Sequence, residues 1–237
     1  MSGGFRFKQF AVEQERSAMK VGTDGVLLGA WAPLTPHHHS VLDIGAGTGL
    51  VALMVAQRSA AWGAEVVAVE IEEGSVADAR ANCAASPWAD RLTVVEGAVQ
   101  DYFPDHKFDH IVSNPPYFVN SLTSPDGGRT TARHTVTLTF DELARNAERL
   151  LSAAGVLSVV LPYEAAGDMT LAAVRCGLFL QRRMDVRSKS GGKMLRSLLC
   201  YGREAAATLR EELTIHAVGG DYTEEYRSLT RDFYLKF

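Results

Sequence analysis

Residues 113–118 read Ser-Asn-Pro-Pro-Tyr-Phe and follow the apolar run Phe108-Asp109-His110-Ile111-Val112. An amide, two prolines and a phenol ring in a row can hold and activate a planar amine. Such an amine, conjugated to a carbonyl or an aromatic ring, is a poor nucleophile because its lone pair is delocalised. Acceptors placed on both of its N–H bonds keep the nitrogen in its attacking form and stabilise the positive charge that grows on it in the transition state. The Asn114 side-chain oxygen supplies one acceptor and the Pro115 carbonyl the other. Proline suits the position because its φ is fixed and it has no N–H of its own; Pro116 extends the rigid stretch. Tyr117 can stack on the flat group, worth about 1–3 kcal/mol per base in single-strand sites. The competing reading is a plain turn that closes a strand.

A second cluster lies upstream. In "VLDIGAGTGL" (41–50), Asp43 precedes Gly45, Gly47 and Gly49 between an apolar strand and a helix. Glycines there allow a tight turn and a close approach to a ligand, and the helix N-terminus beyond offers amide donors. The spacing is Gly-x-Gly-x-Gly, not the G-x-G-x-x-G of dinucleotide sites. Asp43 can accept from a cationic or hydroxylated ligand. Glu70 ends the next strand, where doubly wound folds place an acid against ribose hydroxyls.

The elements that must position these residues alternate. Strands are expected at 41–44, 65–71, 91–97, 108–114 and 156–162, and helices at 49–61, 74–86 and 139–155, the last capped by Thr139 or Asp141 and stopped by Gly155. Val-, Ile- and Leu-rich strands between helices predict a mostly parallel sheet covered on both faces. In the tail the alternation stops. There 178–187 and 193–202 flank a Gly-rich turn as a hairpin, and 212–218 can add another short strand. The 237 residues, 46% hydrophobic, suffice for one large domain. No apolar run is long enough to span a membrane, and "MSGGFRFKQF" lacks the apolar core of a signal peptide. Cys83, Cys176 and Cys200 have no metal-ligand spacing, so they read as reduced thiols of a cytoplasmic protein. His37-His38-His39 reads as a surface loop, and no metal site is expected.

Asp43-x-Gly45-x-Gly47-x-Gly49, Glu70 and Asn114-Pro115-Pro116-Tyr117, in this order on these elements, resemble the class I S-adenosylmethionine-dependent methyltransferases over roughly residues 20–165. The resemblance implies an α/β, doubly wound, seven-stranded, mostly parallel Rossmann-like sheet with an antiparallel C-terminal hairpin. It implies S-adenosylmethionine over Gly45, Gly47 and Gly49, with its ribose on Glu70, and Asn114 facing a sulfonium methyl. The family often carries an acid or Asn after its third strand, near the cofactor adenine. Here Ala98 stands there, and the contact falls to its backbone, to Gln100 or to Asp101.

Asn-Pro-Pro-Tyr fits the N6 amine of adenine and the side-chain amide of glutamine. Glutamine methyltransferases of this kind usually carry a helical domain ahead of the cofactor motif, and only about 40 residues precede it here. The stretch "FRFKQFAVEQERSAMKVGTDGVLLGAWAP" (5–33), together with "SPWADR", "SNPPYF" and "YTEEYRSLTRDFYLKF" (222–237), resembles the bacterial tRNA adenine-N6 methyltransferases that modify the adenine 3′ of the anticodon in valine tRNA. In related enzymes the segment before helix "VLLGAW" lines the methionine end of the cofactor, which implicates Thr23 and Asp24; Asp24 could equally be a helix N-cap. Phe5, Phe7 and Phe10 read as core packing or as base-stacking rings. The expected organisation is one methyltransferase domain over 1–237, with an arm and helix at 1–36, a cofactor core at 37–165, and a hairpin and tail at 166–237. A monomer is favoured. The alternatives are a protein glutamine N5-methyltransferase and a non-catalytic RNA-binding scaffold, against which Asn114 argues.

Net charge is −4, yet residues 181–203 hold Arg182, Arg183, Arg187, Lys189, Lys193, Arg196 and Arg203 against Asp185 alone. A solvated hairpin or a contact for tRNA phosphates would explain this. Arg182, Arg183, Lys189 and Lys193, with Arg133 (and Arg129 and His134) in the long polar loop 119–138, are the candidate tRNA contacts.

Overall fold

The computed structural model describes residues 4–116 and 138–237. After a short β1 (Phe5–Arg6) and β2 (Ala11–Val12) come α1 (Thr23–Trp31), β3 (Ser40–Ile44), α2 (Leu50–Arg58), β4 (Glu65–Glu70), α3 (Glu73–Ala84), β5 (Leu92–Glu96), β6 (Phe108–Ser113), α4 (Phe140–Leu150), β7 (Leu151–Pro162), α5 (Ala166–Arg175), β8 (Phe179–Lys189), β9 (Met194–Gly202), β10 (Leu209–His216) and α6 (Glu224–Thr230). β-Branched runs take the strands because both faces of the sheet are buried: α1 and α2 cover one face, α4 and α5 the other. Among the described residues no helix is long and apolar enough to cross a membrane.

The main sheet has eight strands in the order β10-β8-β9-β7-β6-β3-β4-β5. This is one more than the seven expected; the segment around 212–218 supplies the eighth as β10, which runs parallel to β8. β3 pairs in parallel with β4 on one side and β6 on the other. The chain therefore reverses its winding at β3, and the crevice outside the carboxyl ends of β3, β4 and β6 is where such folds bind ligands. β9 is antiparallel to both β7 and β8, with Pro162 opposite Arg196 and Arg187 opposite Met194. The turn joining β8 to β9 thus opens at the same edge of the sheet as that crevice.

The helix expected over 139–155 ends at Leu150. Its start follows the sequence: Glu142 N–H donates to Thr139 Oγ1 and Thr139 N–H to Glu142 Oε2, a reciprocal cap. Gly155 lies inside β7, where a Cβ would sit 2.8 Å from the Phe108 carbonyl oxygen. It permits close strand approach at a register shift between β6 and β7.

Residues 13–21 cross the top of α3. Asp78 Oδ2 accepts from the Arg16 and Ser17 amides at 3.0 and 2.8 Å and from Ser17 Oγ at 2.9 Å. Asn82 exchanges 2.8 Å hydrogen bonds with the Glu13 backbone and donates to the Thr48 carbonyl at 2.9 Å. One side chain of α3 therefore fixes both the arm and the glycine turn. Phe7 and Phe10 are buried and their rings stack at 4.7 Å. That packing removes both from base stacking.

Candidate active site

The glycine turn joins β3 to α2 with Gly45, Gly47 and Gly49 at φ +69°, +54° and +80°. These left-handed conformations are costly for residues with a Cβ. At Gly45 and Gly47 a Cβ would meet nothing within 4 Å, so both face open space. At Gly49 a Cβ would lie 3.5 Å from that of Ala79 and 3.6 Å from the Cys83 sulfur. Gly49 is the N-cap of α2 and, having no Cβ, lets that helix approach α3.

Two carboxylates hold the turn. Asp43 is fully buried and accepts from the Ala52 amide at 3.0 Å, at the start of α2. Burial pushes its carboxyl up to about 7, opposed by that amide and assisted by the Glu70 charge. Glu70 accepts from the Gly47 amide at 2.8 Å and, through its other oxygen, from the Ile71 and Glu72 amides.

Two cavities meet over this turn. The first, about 340 Å³, is walled by Thr23, Asp24, Asp43, Gly45, Gly47 and Asn114, with Lys20 and Arg196 adding positive charge. The second, about 220 Å³, is largely apolar. Val69, Ile71, Val99 and Leu138 line it, together with Glu70, Ala98, Pro115 and Pro116. Met19, Gly45, Gly47 and Asn114 belong to both. Asn114 is placed by the end of β6, where Ser113 Oγ donates to the Ile44 carbonyl at 2.7 Å and locks β6 to β3. Gln100 lines the second cavity; Asp101 does not. Tyr117, Arg129, Arg133 and His134 fall outside the described residues.

The donor set fits S-adenosylmethionine. A carboxylate beside apolar walls suits a ribose and its base, and a cavity bearing both signs of charge suits an amino-acid end. Residues 25–174 match the family described as the methyltransferase small domain. The tRNA1(Val) (adenine(37)-N6)-methyltransferase of Bacteroides thetaiotaomicron is 46% identical over 98% of this chain and 97% of its own. The chain belongs to that family. Members of the wider methyltransferase fold align as well. Protein Atu636 of Agrobacterium tumefaciens, described as a predicted O-methyltransferase, superposes with TM-score 0.65 at 21% identity, covering 89% of this chain and 96% of its own. The glycopeptide N-methyltransferase MtfA, solved with S-adenosylmethionine, gives 0.55 at 17% identity, over 78% and 100%.

The basic hairpin of this family member is mostly neutralised within the fold. Arg182 makes a paired contact with Glu211 (2.6 and 3.2 Å) and lies over the Trp31 ring at 4.6 Å. Arg183 donates to Asp185 at 2.7 Å and faces the Tyr163 ring. Arg187 pairs with Glu212, Arg196 with Asp24 and Arg203 with Glu148. Arg182 also sits near the start of β8, at the edge of the sheet away from the crevice. Lys189 and Lys193 are exposed in and beside the turn, at the crevice edge, with no ion pair among the described residues. Sequence reasoning missed two contributors. The Ala18-Met19 arm lacks any motif, and Arg196 is one cation among seven.

Among the described residues no group of three or more His, Cys, Asp or Glu could hold a metal. His110 is fully buried, with Nε2 2.9 Å from Ser158 Oγ. Burial, with the adjacent His38 and Arg58 charges, holds its pKa well below 6.5.

Proposed function

We propose that this chain transfers a methyl group to the N6 amine of an adenine in tRNA, the adenine 3′ of the anticodon in valine tRNA. S-adenosylmethionine, when bound, supplies that methyl on a sulfonium. Asn114 and Pro115 hold the amine by its N–H bonds and receive the positive charge that grows on nitrogen. Gly45 and Gly47 keep the floor open, Glu70 takes the ribose hydroxyls, Ala98 borders the adenine, and Thr23 and Asp24 border the methionine end. Pro116 and Tyr117 flank the incoming base. An unpaired anticodon-loop base is cheaply splayed out, which suits a crevice at a sheet edge. Lys189 and Lys193 meet tRNA phosphates there, and Arg133 is assigned with them from sequence alone. The protein acts as a single domain, a cytoplasmic monomer, without a metal.

The observation that carries this reading is the position of Asn114 at the junction of the two cavities. A group held there reaches both the adenosine and the methionine side of the donor. The test is nucleoside mass spectrometry of tRNA1(Val) from a deletion strain, with and without the gene restored. N6-methyladenosine should vanish on deletion and return on complementation. Its persistence in the deletion strain would overturn the assignment.

A further inference from the structure

The first cavity is lined by charges of both signs, Lys20 and Arg196 against Asp24 and Asp43. Their partners separate them. Lys20 Nζ is turned to the Gln14 and Ser17 carbonyls of the arm, which it helps to fold. Asp43 is committed to the Ala52 amide, and burial raises its carboxyl to about 7. Arg196 and Asp24 form an ion pair in the cavity wall, Arg196 Nε to Asp24 Oδ2 at 2.7 Å, and bring a cation and an anion side by side. Their side chains are 34% and 23% exposed, shielded enough that a charge-assisted contact is worth more than at an open surface.

The donor's methionine end is a zwitterion, an α-carboxylate and an α-ammonium on one carbon. A guanidinium beside a carboxylate is its charge complement. We propose that Arg196 receives the α-carboxylate of the methyl donor while Asp24 receives its α-ammonium. This rests on the methyltransferase reading above and names a binding residue on the C-terminal hairpin for it. Arginine suits the role because its planar fork of donors matches a carboxylate, and Asp24 and the Leu195 carbonyl already fix the guanidinium plane. Arg196 lies on β9, three residues after Lys193. The turn proposed to face tRNA thereby leads directly into the strand that carries Arg196. A purely structural pair, pinning β9 to α1, would instead affect all ligands alike.

The experiment is calorimetric binding of three probes to wild type and Arg196→Gln: S-adenosylhomocysteine, its carboxamide, and 5′-methylthioadenosine, which lacks the amino-acid end. Wild type should bind S-adenosylhomocysteine about ten- to a hundredfold more tightly than the carboxamide. In Arg196→Gln that gap should close, with 5′-methylthioadenosine affinity unchanged. A gap that persists in the variant, or equal weakening of all three probes, overturns the proposal. If Arg196→Gln does not fold, the wild-type comparison still decides: equal affinity for S-adenosylhomocysteine and its carboxamide overturns it. Failure of wild type to bind any probe would sink the donor assignment itself, which is a separate result.

Discussion

Glu70, the last residue of β4, bonds the Gly47 amide at 2.8 Å while its second oxygen takes the amides of Ile71 and Glu72. One carboxylate therefore shapes the glycine turn beneath the two cavities and the connection into α3. A ribose that docks there meets an acceptor already oriented by backbone.

Glu70→Ala should weaken S-adenosylmethionine and S-adenosylhomocysteine alike, because both carry the ribose. A charge-assisted bond is worth roughly 1.5–3 kcal/mol, so both affinities fall about ten- to a hundredfold. Thermal stability should fall too, as backbone amides lose their acceptor. Calorimetry with both ligands checks it: if neither affinity changes, the ribose is bound elsewhere.

Asn114→Ala should leave donor affinity nearly intact and slow methyl transfer on the order of 10²–10³-fold, by analogy with the loss of an oxyanion donor. The measurement is single-turnover methylation of a tRNA1(Val) transcript at saturating donor. Turnover near the wild-type rate with normal donor binding would remove Asn114 from the chemistry.

The cations of the C-terminal hairpin should divide into two classes. Replacing Lys189 and Lys193 by Gln should weaken tRNA binding and flatten its salt dependence, by roughly 0.7–0.9 in the log–log slope for each phosphate no longer neutralised. Replacing Arg182 by Gln should instead lower thermal stability, since Glu211 and the Trp31 ring lose their partner, and leave the salt slope as it was. Binding curves at several salt concentrations, with melting curves, separate the classes. A flattened slope in the Arg182 variant would return that residue to the tRNA surface.

Stability should depend on pH through His110. Its folded pKa lies below 6.5, so the unfolded chain takes up a proton first as pH falls. The stability it contributes is complete above about pH 6.5 and is lost at lower pH. Asp43 acts in the other direction. Its folded value of about 7 exceeds the ordinary 3.8, so its contribution is present at low pH and is lost as pH rises through 7. Melting temperatures from pH 8 to 5 should fall less steeply on the acid side in His110→Gln than in wild type. In Asp43→Asn the loss toward pH 8 should shrink. Parallel curves would mean that neither group is held as described.

The glycine turn, Glu70 and Asn114 were legible because each is a local demand: a backbone conformation, a strand end, a rigid turn. The cap at Thr139 was legible for the same reason. What sequence could not supply were partners brought by topology. The hairpin reads as strongly basic because Glu211, Glu212, Asp24 and Glu148, which neutralise it, come from other elements. Gly155 reads as a helix stop until the Phe108 carbonyl appears against it. The docking of the arm on Asp78 and Asn82 spans more than sixty residues and leaves no local trace.

The arm whose Met19 lines both cavities starts against the far end of the chain. The Lys8 amide donates to the Phe233 carbonyl at 2.8 Å, and the Phe7 and Tyr234 rings lie 6.0 Å apart. A ribosome makes Phe7 early and Tyr234 more than two hundred residues later. During synthesis β3 to β7 can pair, and Phe10 can meet Trp88, while Phe5 and Phe7 still lack Tyr234. Closing so long a loop is slow relative to local folding. The Met19 wall, held to α3 through Asp78 and Asn82, can therefore form with the sheet and the glycine turn, and the tail on its arrival fixes the Phe7 end of the arm.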